Sequence, residues 1–172
     1  MAMDVWNRIV ARNIIPVDPL ALSKFARRFD PLIYKQIEKI TRKPIFKEMH
    51  YTRAFLQDNA LNCPEIVEFL IARVYPNDIH IGDISIKNPY KPLPTNLQKC
   101  SIHTHKGFGL LSPLMDNIIS YGRSKKCDYL TLVASQYENV ELFERYGLSV
   151  EDNEFARLAM SHGQTIPMEM KL

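Results

Sequence analysis

Residues 103–111 read His103-Thr104-His105-Lys106-Gly107-Phe108-Gly109-Leu110-Leu111. Two glycines one residue apart, directly before a helical pattern, bring several free backbone amides to one point. Those amides and the positive end of the helix dipole together suit an anion. Glycine lets a phosphate approach the backbone closely and permits a positive φ. Lys106 to Leu111 is therefore a candidate pyrophosphate cradle. The bland alternative is a tight strand-to-helix turn without a ligand. Other phosphate motifs fit less well. A Walker loop needs Lys-Ser/Thr after its last glycine, but Leu110 and Leu111 follow Gly109. A dinucleotide fingerprint needs a third glycine where Ser112 stands, in the first strand-helix unit rather than far along the chain.

Other side chains could move protons. His103 can take a proton near neutral pH, although a strand histidine satisfied by backbone is the commoner case. His103 and His105 could face one way toward a metal, but no third ligand lies near, so no metal is expected. Glu68 falls on a strand, as a base or as a solvent-facing residue. Tyr137 and Tyr146 carry hydroxyls that could serve as acids, or they are packing aromatics. Cys100 lacks a Cys-His arrangement, and a buried thiol is its default. Arg123, Lys125 and Lys126 could meet a phosphate or complement a helix C-terminus. Glu138, Glu141, Glu144, Glu151, Asp152 and Glu154 face only Arg145 in charge. They could attract a cationic amine, or form a solvated face.

The elements that must hold these residues alternate in type. Residues 5–15 are rich in β-branched types and read as a strand. Asp18-Pro19 and Asp30-Pro31 each open a helix. Residues 45–64 show no clean period, though Phe46, Met49, Tyr51, Phe55 and Leu56 should be partly buried. Residues 66–75 and 79–86 flank Pro76-Asn77-Asp78 as a hairpin. Pro89, Pro92 and Pro94 make 87–99 a loop. Residues 99–104 read as a strand. Leu111, Leu114, Met115, Ile118 and Ile119 then mark one face of an amphipathic helix. Residues 129–134 read as a strand, and 139–146 as a short helix stopped by Gly147. Residues 155–160 and 166–170 read as two final strands about His162-Gly163. The expectation is one α/β domain over residues 1–172 with a mixed sheet.

With 172 residues, 46% hydrophobic and 24% charged, the composition is that of a globular domain, which excludes global disorder. No apolar run approaches the roughly 18 residues of a membrane span, and residues 1–12 have no export-signal core. No membrane partner is expected. Three distant cysteines, Cys63, Cys100 and Cys127, suit a reduced cytoplasm better than a disulfide framework. A net charge of +3 gives no ground for nucleic-acid binding.

This order of elements resembles the GNAT superfamily of acyl-CoA-dependent N-acyltransferases. The family motif, Gln/Arg-x-x-Gly-x-Gly/Ala between a strand and a helix, aligns with Thr104-His105-Lys106-Gly107-Phe108-Gly109. A second family segment, roughly Leu-Tyr-Glu-Lys-x-Gly-Phe, aligns with Leu142-Phe143-Glu144-Arg145-Tyr146-Gly147-Leu148. The resemblance implies a mostly antiparallel sheet of six or seven strands, splayed at the CoA site and flanked by helices. It implies acetyl-CoA as cosubstrate and a small-molecule or protein amine as acceptor, and it leaves room for a homodimer. Ile102, His103, Thr104, His105, Lys106, Gly107, Phe108, Gly109, Leu110 and Leu111, with Ser135 and Phe143, would lie against CoA. The splayed pair would be 99–104 and 129–134. Tyr146, Tyr137, His103 and Glu68 are the candidates for proton transfer. Two departures stand out. Thr104 replaces the usual Gln or Arg. Phe143 stands where the family often has a tyrosine that protonates the leaving thiolate. These departures motivate the alternative of a non-catalytic CoA-binding or interaction module with the same fold.

Overall fold

In a computed structural model of the chain, the described residues are Lys39, Arg42 and residues 45–57, 65–98 and 104–172. The expected strand at 5–15 and the two helices after it lie outside them. Strands β1 (Phe46–Phe55), β2 (Glu65–Val74) and β3 (Asp78–Ile86) form an antiparallel meander. Helix α1 (Leu111–Ser124) then leads to β4 (Tyr129–Gln136), which pairs parallel to β3. A parallel neighbour cannot be reached by a hairpin, so the long connection carrying α1 is required. A 3₁₀ turn at Tyr137–Asn139 precedes α2 (Val140–Glu144), β5 (Ser149–Val150), α3 (Glu154–His162) and β6 (Gln164–Lys171). The six strands form one mixed, mostly antiparallel sheet in the order β1-β2-β3-β4-β6-β5, flanked by helices.

Alternation along the strands sends Ile79, Ile81, Leu130, Leu132, Ile166 and Met168 into one core. Met115 and Ile118 of α1 and Val140 of α2 close over them, all buried. The helix lies close on the sheet: a Cβ on Gly122 would sit 3.2 Å from Ile79 Cγ1. Among the described residues no helix is long and apolar enough to cross a membrane. Cys127 is a buried free thiol, while Cys63 and Cys100 lie outside the described residues.

Two sequence expectations are corrected. The unreadable stretch holds β1, whose residues Met49–Arg53 are all exposed, so no hydrophobic period marks it. Residues 155–160 are helical rather than extended. The Asn153 side chain accepts from the Ala156 amide at 2.9 Å, and Gly163 ends the helix at φ +67°, so the two caps override the apolar run. The expected strand at 99–104 lies outside the described residues except for Thr104, which belongs to none of the named strands.

A polar cluster ties α1 to the sheet's β1 side. Tyr121 donates to Glu48, His50 Nε2 lies 3.2 Å from the Tyr121 hydroxyl, and Arg73 donates to Glu48 Oε1 at 2.9 Å. The Tyr121 bond, then the charges of Arg73, Lys125 and His50, hold Glu48 below the usual carboxylate range against the opposing effect of burial. Its stabilising contribution is present above that range and is lost as pH falls through the lowered value. Burial, then the bond to Glu48, push Tyr121 up to about 12. That contribution is present at neutral pH and fades as pH rises from 10 toward about 12. In the ultraviolet difference between wild type and Tyr121→Phe, the phenolate should therefore appear near pH 12. Glu48→Gln should bring it down only part of the way, because burial is the larger cause. A transition at the ordinary tyrosine value in wild type would refute this.

Candidate active site

Strands β3 and β4 pair only over Ile79–Ile81 and Leu130–Leu132. His80, buried in this junction, lies 3.1 Å from the Thr131 hydroxyl, which donates to Ile79 O at 3.0 Å. Beyond Ile81 the two strands part. Each keeps its outer neighbour: β3 follows β2 to the Val67–Ile86 pair, and β4 follows β6 to the Gln136–Gln164 pair. A cleft of about 450 Å³ runs along this free stretch of β3, lined also by the glycine turn, the start of α1 and residues that follow β4.

The β3 wall has two faces. Lys87 N donates to Ile66 O at 2.9 Å, so the polar backbone groups of Ser85 and Lys87 turn toward β2. Alternation turns those of Ile84 and Ile86 toward the gap, where β4 no longer meets them. The register pairs Glu68 with Ser85 and Leu70 with Asp83, so Glu68, Asp83 and Ser85 share one face of the sheet. All three line the cleft.

Two carboxylates on one wall shape its electrostatics. Tyr51 donates to Glu68 Oε1 at 2.6 Å, and this bond is the largest cause that raises the Tyr51 phenol. Arg53 is drawn to Glu65 at 2.6 Å and stands 3.9 Å from Glu68. Although Asp83 as a residue is exposed, burial of its carboxyl and then the Glu68 charge push it above the usual range. The Ile84 amide and Lys87 oppose this.

The opposite end of the cleft suits an anion. It is lined by His105, Gly107, Gly109, Leu110 and Leu111. The N-cap of α1, Leu110, makes no side-chain cap, and no acidic residue sits in the first turn. Pro113 has no amide hydrogen. The first amide that closes the helix is Leu114, bonded to Leu110 O at 3.1 Å. The amides of Leu111 and Ser112 thus stand where a helix itself supplies no acceptor. Gly109 has φ +74°, and no atom lies within 4 Å of where its Cβ would be. Glycine is needed there for backbone conformation, not for space. Gly107 lies beside the end of β3, with its Cβ position 3.7 Å from Ile86 O. Asn139, Leu142 and Phe143 complete the cleft.

Of the residues singled out from the sequence, Glu68, His105, Gly107, Gly109, Leu110, Leu111 and Phe143 come together here. Thr104 is near the rim, with its hydroxyl 2.9 Å from His105 Nδ1. Lys106 and Phe108 are exposed outside the lining. Ser135 is exposed and accepts from Asn139 Nδ2 at 3.0 Å. Tyr146 packs on the core and Tyr137 is half exposed; neither is brought to the cleft. Ile102 and His103 lie outside the described residues. The strand paired parallel to β4 is β3; of the expected splayed strand 99–104, residues 99–103 lie outside the described residues. Sequence reasoning accordingly missed Asp83, Ile84, Ser85, Ile86 and Lys87. The sequence offered no signal to choose them: 79–86 and 99–104 both precede the helix at 111–124 that a parallel crossover needs.

No family model and no curated protein matches the chain. Among solved structures it is similar to an acetyltransferase from Bacillus cereus, at TM-score 0.48 and 12% identity over 92% of this chain and 96% of that one. It is also similar to a Bacillus subtilis acetyltransferase in complex with CoA, at TM-score 0.44 and 14% identity over 80% and 84% of the two chains. A third is the PaiA N-acetyltransferase from Thermoplasma acidophilum in complex with coenzyme A, at TM-score 0.39 and 13% identity over 99% and 88%.

Proposed function

We propose that this chain is a GNAT-type N-acyltransferase of the cytoplasm that carries an acetyl group from acetyl-CoA to a primary amine. One observation carries the reading: along the stretch of β3 that β4 no longer pairs, one cleft is lined both by the glycine turn with the uncapped start of α1 and by two carboxylates. The cradle fits a pyrophosphate, through the Gly109 backbone and the α1 amides. The gap-facing backbone of Ile84 and Ile86 fits an arm rich in amides. CoA would supply the activated thioester. A backbone amide of β3 would stabilise charge developing on its carbonyl oxygen. Asp83 would accept the proton of the attacking amine, with Glu68 steadied by Tyr51 beside it. The acceptor is an amine, small or borne on a protein, with no nucleic-acid or membrane partner; a homodimer is compatible with this reading.

A second reading, a non-catalytic CoA-binding module, is favoured by Phe143, which lines the cleft and has no proton to give a leaving thiolate. Two measurements separate the possibilities. Acetyl-CoA or CoA at about a hundred times Kd should stabilise the protein by about 2.7 kcal/mol, or roughly 5–10 °C in Tm. ATP and NAD at equal concentration should shift it far less. Equal shifts with all four would set the cofactor assignment aside. Release of free CoA over a panel of amines then tests catalysis, and tight CoA binding without any release would favour the module.

A further inference from the structure

After β3 the chain does not run directly into the glycine turn. It leaves the sheet at Lys87, makes an excursion through the proline loop, and returns at Thr104 to Lys106. Both ends of the excursion meet at one residue. Asn88 N donates to Lys106 O at 2.7 Å, Lys106 N donates to Lys91 O at 3.0 Å, and Leu93 N donates to Thr104 O at 2.9 Å. His105 bridges Pro92 in the same short ladder. Asn88 is buried, although its neighbours Lys91 and Lys106 are exposed. Its side chain accepts from the Tyr90 amide at 3.1 Å, and its carbonyl accepts from Lys91 N at 2.9 Å. These two bonds close the turn that presents Lys91 O to Lys106. The residue after Lys106 is Gly107, the first glycine of the cradle.

We infer that Asn88 is a positioning residue: it clasps the base of the 88–106 excursion and so fixes the anion cradle at the end of β3. The role rests on the proposed CoA site, because the clasp acts on CoA only through Gly107 to Leu111. A glycine turn has little rigidity of its own, so its amides converge only if both ends are anchored. α1 anchors one end, and the ladder to Asn88 anchors the other. Asp at this position keeps an oxygen for the Tyr90 amide, whereas Ala keeps none.

The test compares wild type, Asn88→Ala and Asn88→Asp. Hydrogen exchange without ligand reads the clasp directly: the Lys106 and Leu93 amides should exchange about tenfold faster in Asn88→Ala and near the wild-type rate in Asn88→Asp. Calorimetry with CoA should show Kd raised about tenfold in Asn88→Ala and restored to within about threefold in Asn88→Asp. Under turnover, KM for acetyl-CoA should rise in Asn88→Ala while KM for the amine moves less than about twofold. A merely structural loss would move both constants. Wild-type CoA affinity in Asn88→Ala overturns the inference and leaves the CoA site standing. Absence of CoA binding by wild type, with the exchange pattern as expected, removes both.

Discussion

Gly109→Asp should abolish CoA binding by a protein that still folds, whereas Gly109→Asn should weaken it only mildly. The pair is nearly isosteric, and both residues visit the left-handed region more readily than other side chains do. Backbone strain at φ +74° is therefore similar in the two variants. Neither side chain meets a wall, since nothing lies within 4 Å of the Cβ position. What differs is one negative charge at the mouth of a cradle proposed to hold a pyrophosphate. A loss of a hundredfold or more in affinity, about 2.7 kcal/mol, is expected for Asp. Less than about tenfold is expected for Asn. Calorimetry with CoA measures both, and far-UV circular dichroism checks the fold. Because the effect is electrostatic, raising the salt concentration should narrow the gap between the variants. Equal affinities for the Asp and Asn variants would show that no anion sits at Gly109.

The cradle half of the cleft was legible in the sequence and the sheet half was not. Glycine spacing and the period of Leu111, Leu114, Met115, Ile118 and Ile119 are local signals, so they locate both the turn and the start of α1. The hairpin of β2 and β3 and the strands β4 and β6 were legible because each is a local run of strand-forming residues, the first two flanking the turn Pro76-Asn77-Asp78. Strand β1 buries little, so it left no pattern. In α3, a run of apolar residues looked extended until the Asn153 and Gly163 caps are weighed. Which strand faces β4 is a different kind of fact. It depends on a parallel pairing across the whole connection from Ile86 to Tyr129, and no local spacing encodes it. With the splayed strand expected at 99–104, Asp83 on β3 was not considered. Tyr146 and Phe143 both pack against the core, and of the two only Phe143 lines the cleft.

Asp83→Asn should lower turnover by about a hundredfold or more while leaving CoA affinity within a few-fold of wild type. The carboxylate lies at the end of the cleft away from the cradle, so only the chemical step and amine binding should suffer. Its raised pKa gives the reaction a distinctive acid limb. Asp83 must be ionised to accept a proton, so kcat/KM should fall as pH drops through a value above the usual aspartate range of about 3.9. Glu68 is one cause of that elevation, through its like charge. Glu68→Gln removes the charge, so the acid limb should move to lower pH even though the variant binds a cationic amine less well. The stability of the fold should respond with the opposite sign. A carboxyl with a raised folded-state pKa costs stability when it ionises, so the Asp83 contribution declines as pH rises from its ordinary value through the raised one. At neutral pH, Asp83→Asn should therefore fold at least as stably as wild type while losing turnover. A less stable but fully active Asp83→Asn would make Asp83 a structural residue. An acid limb that stays fixed or moves to higher pH in Glu68→Gln would show that the limb belongs to another group.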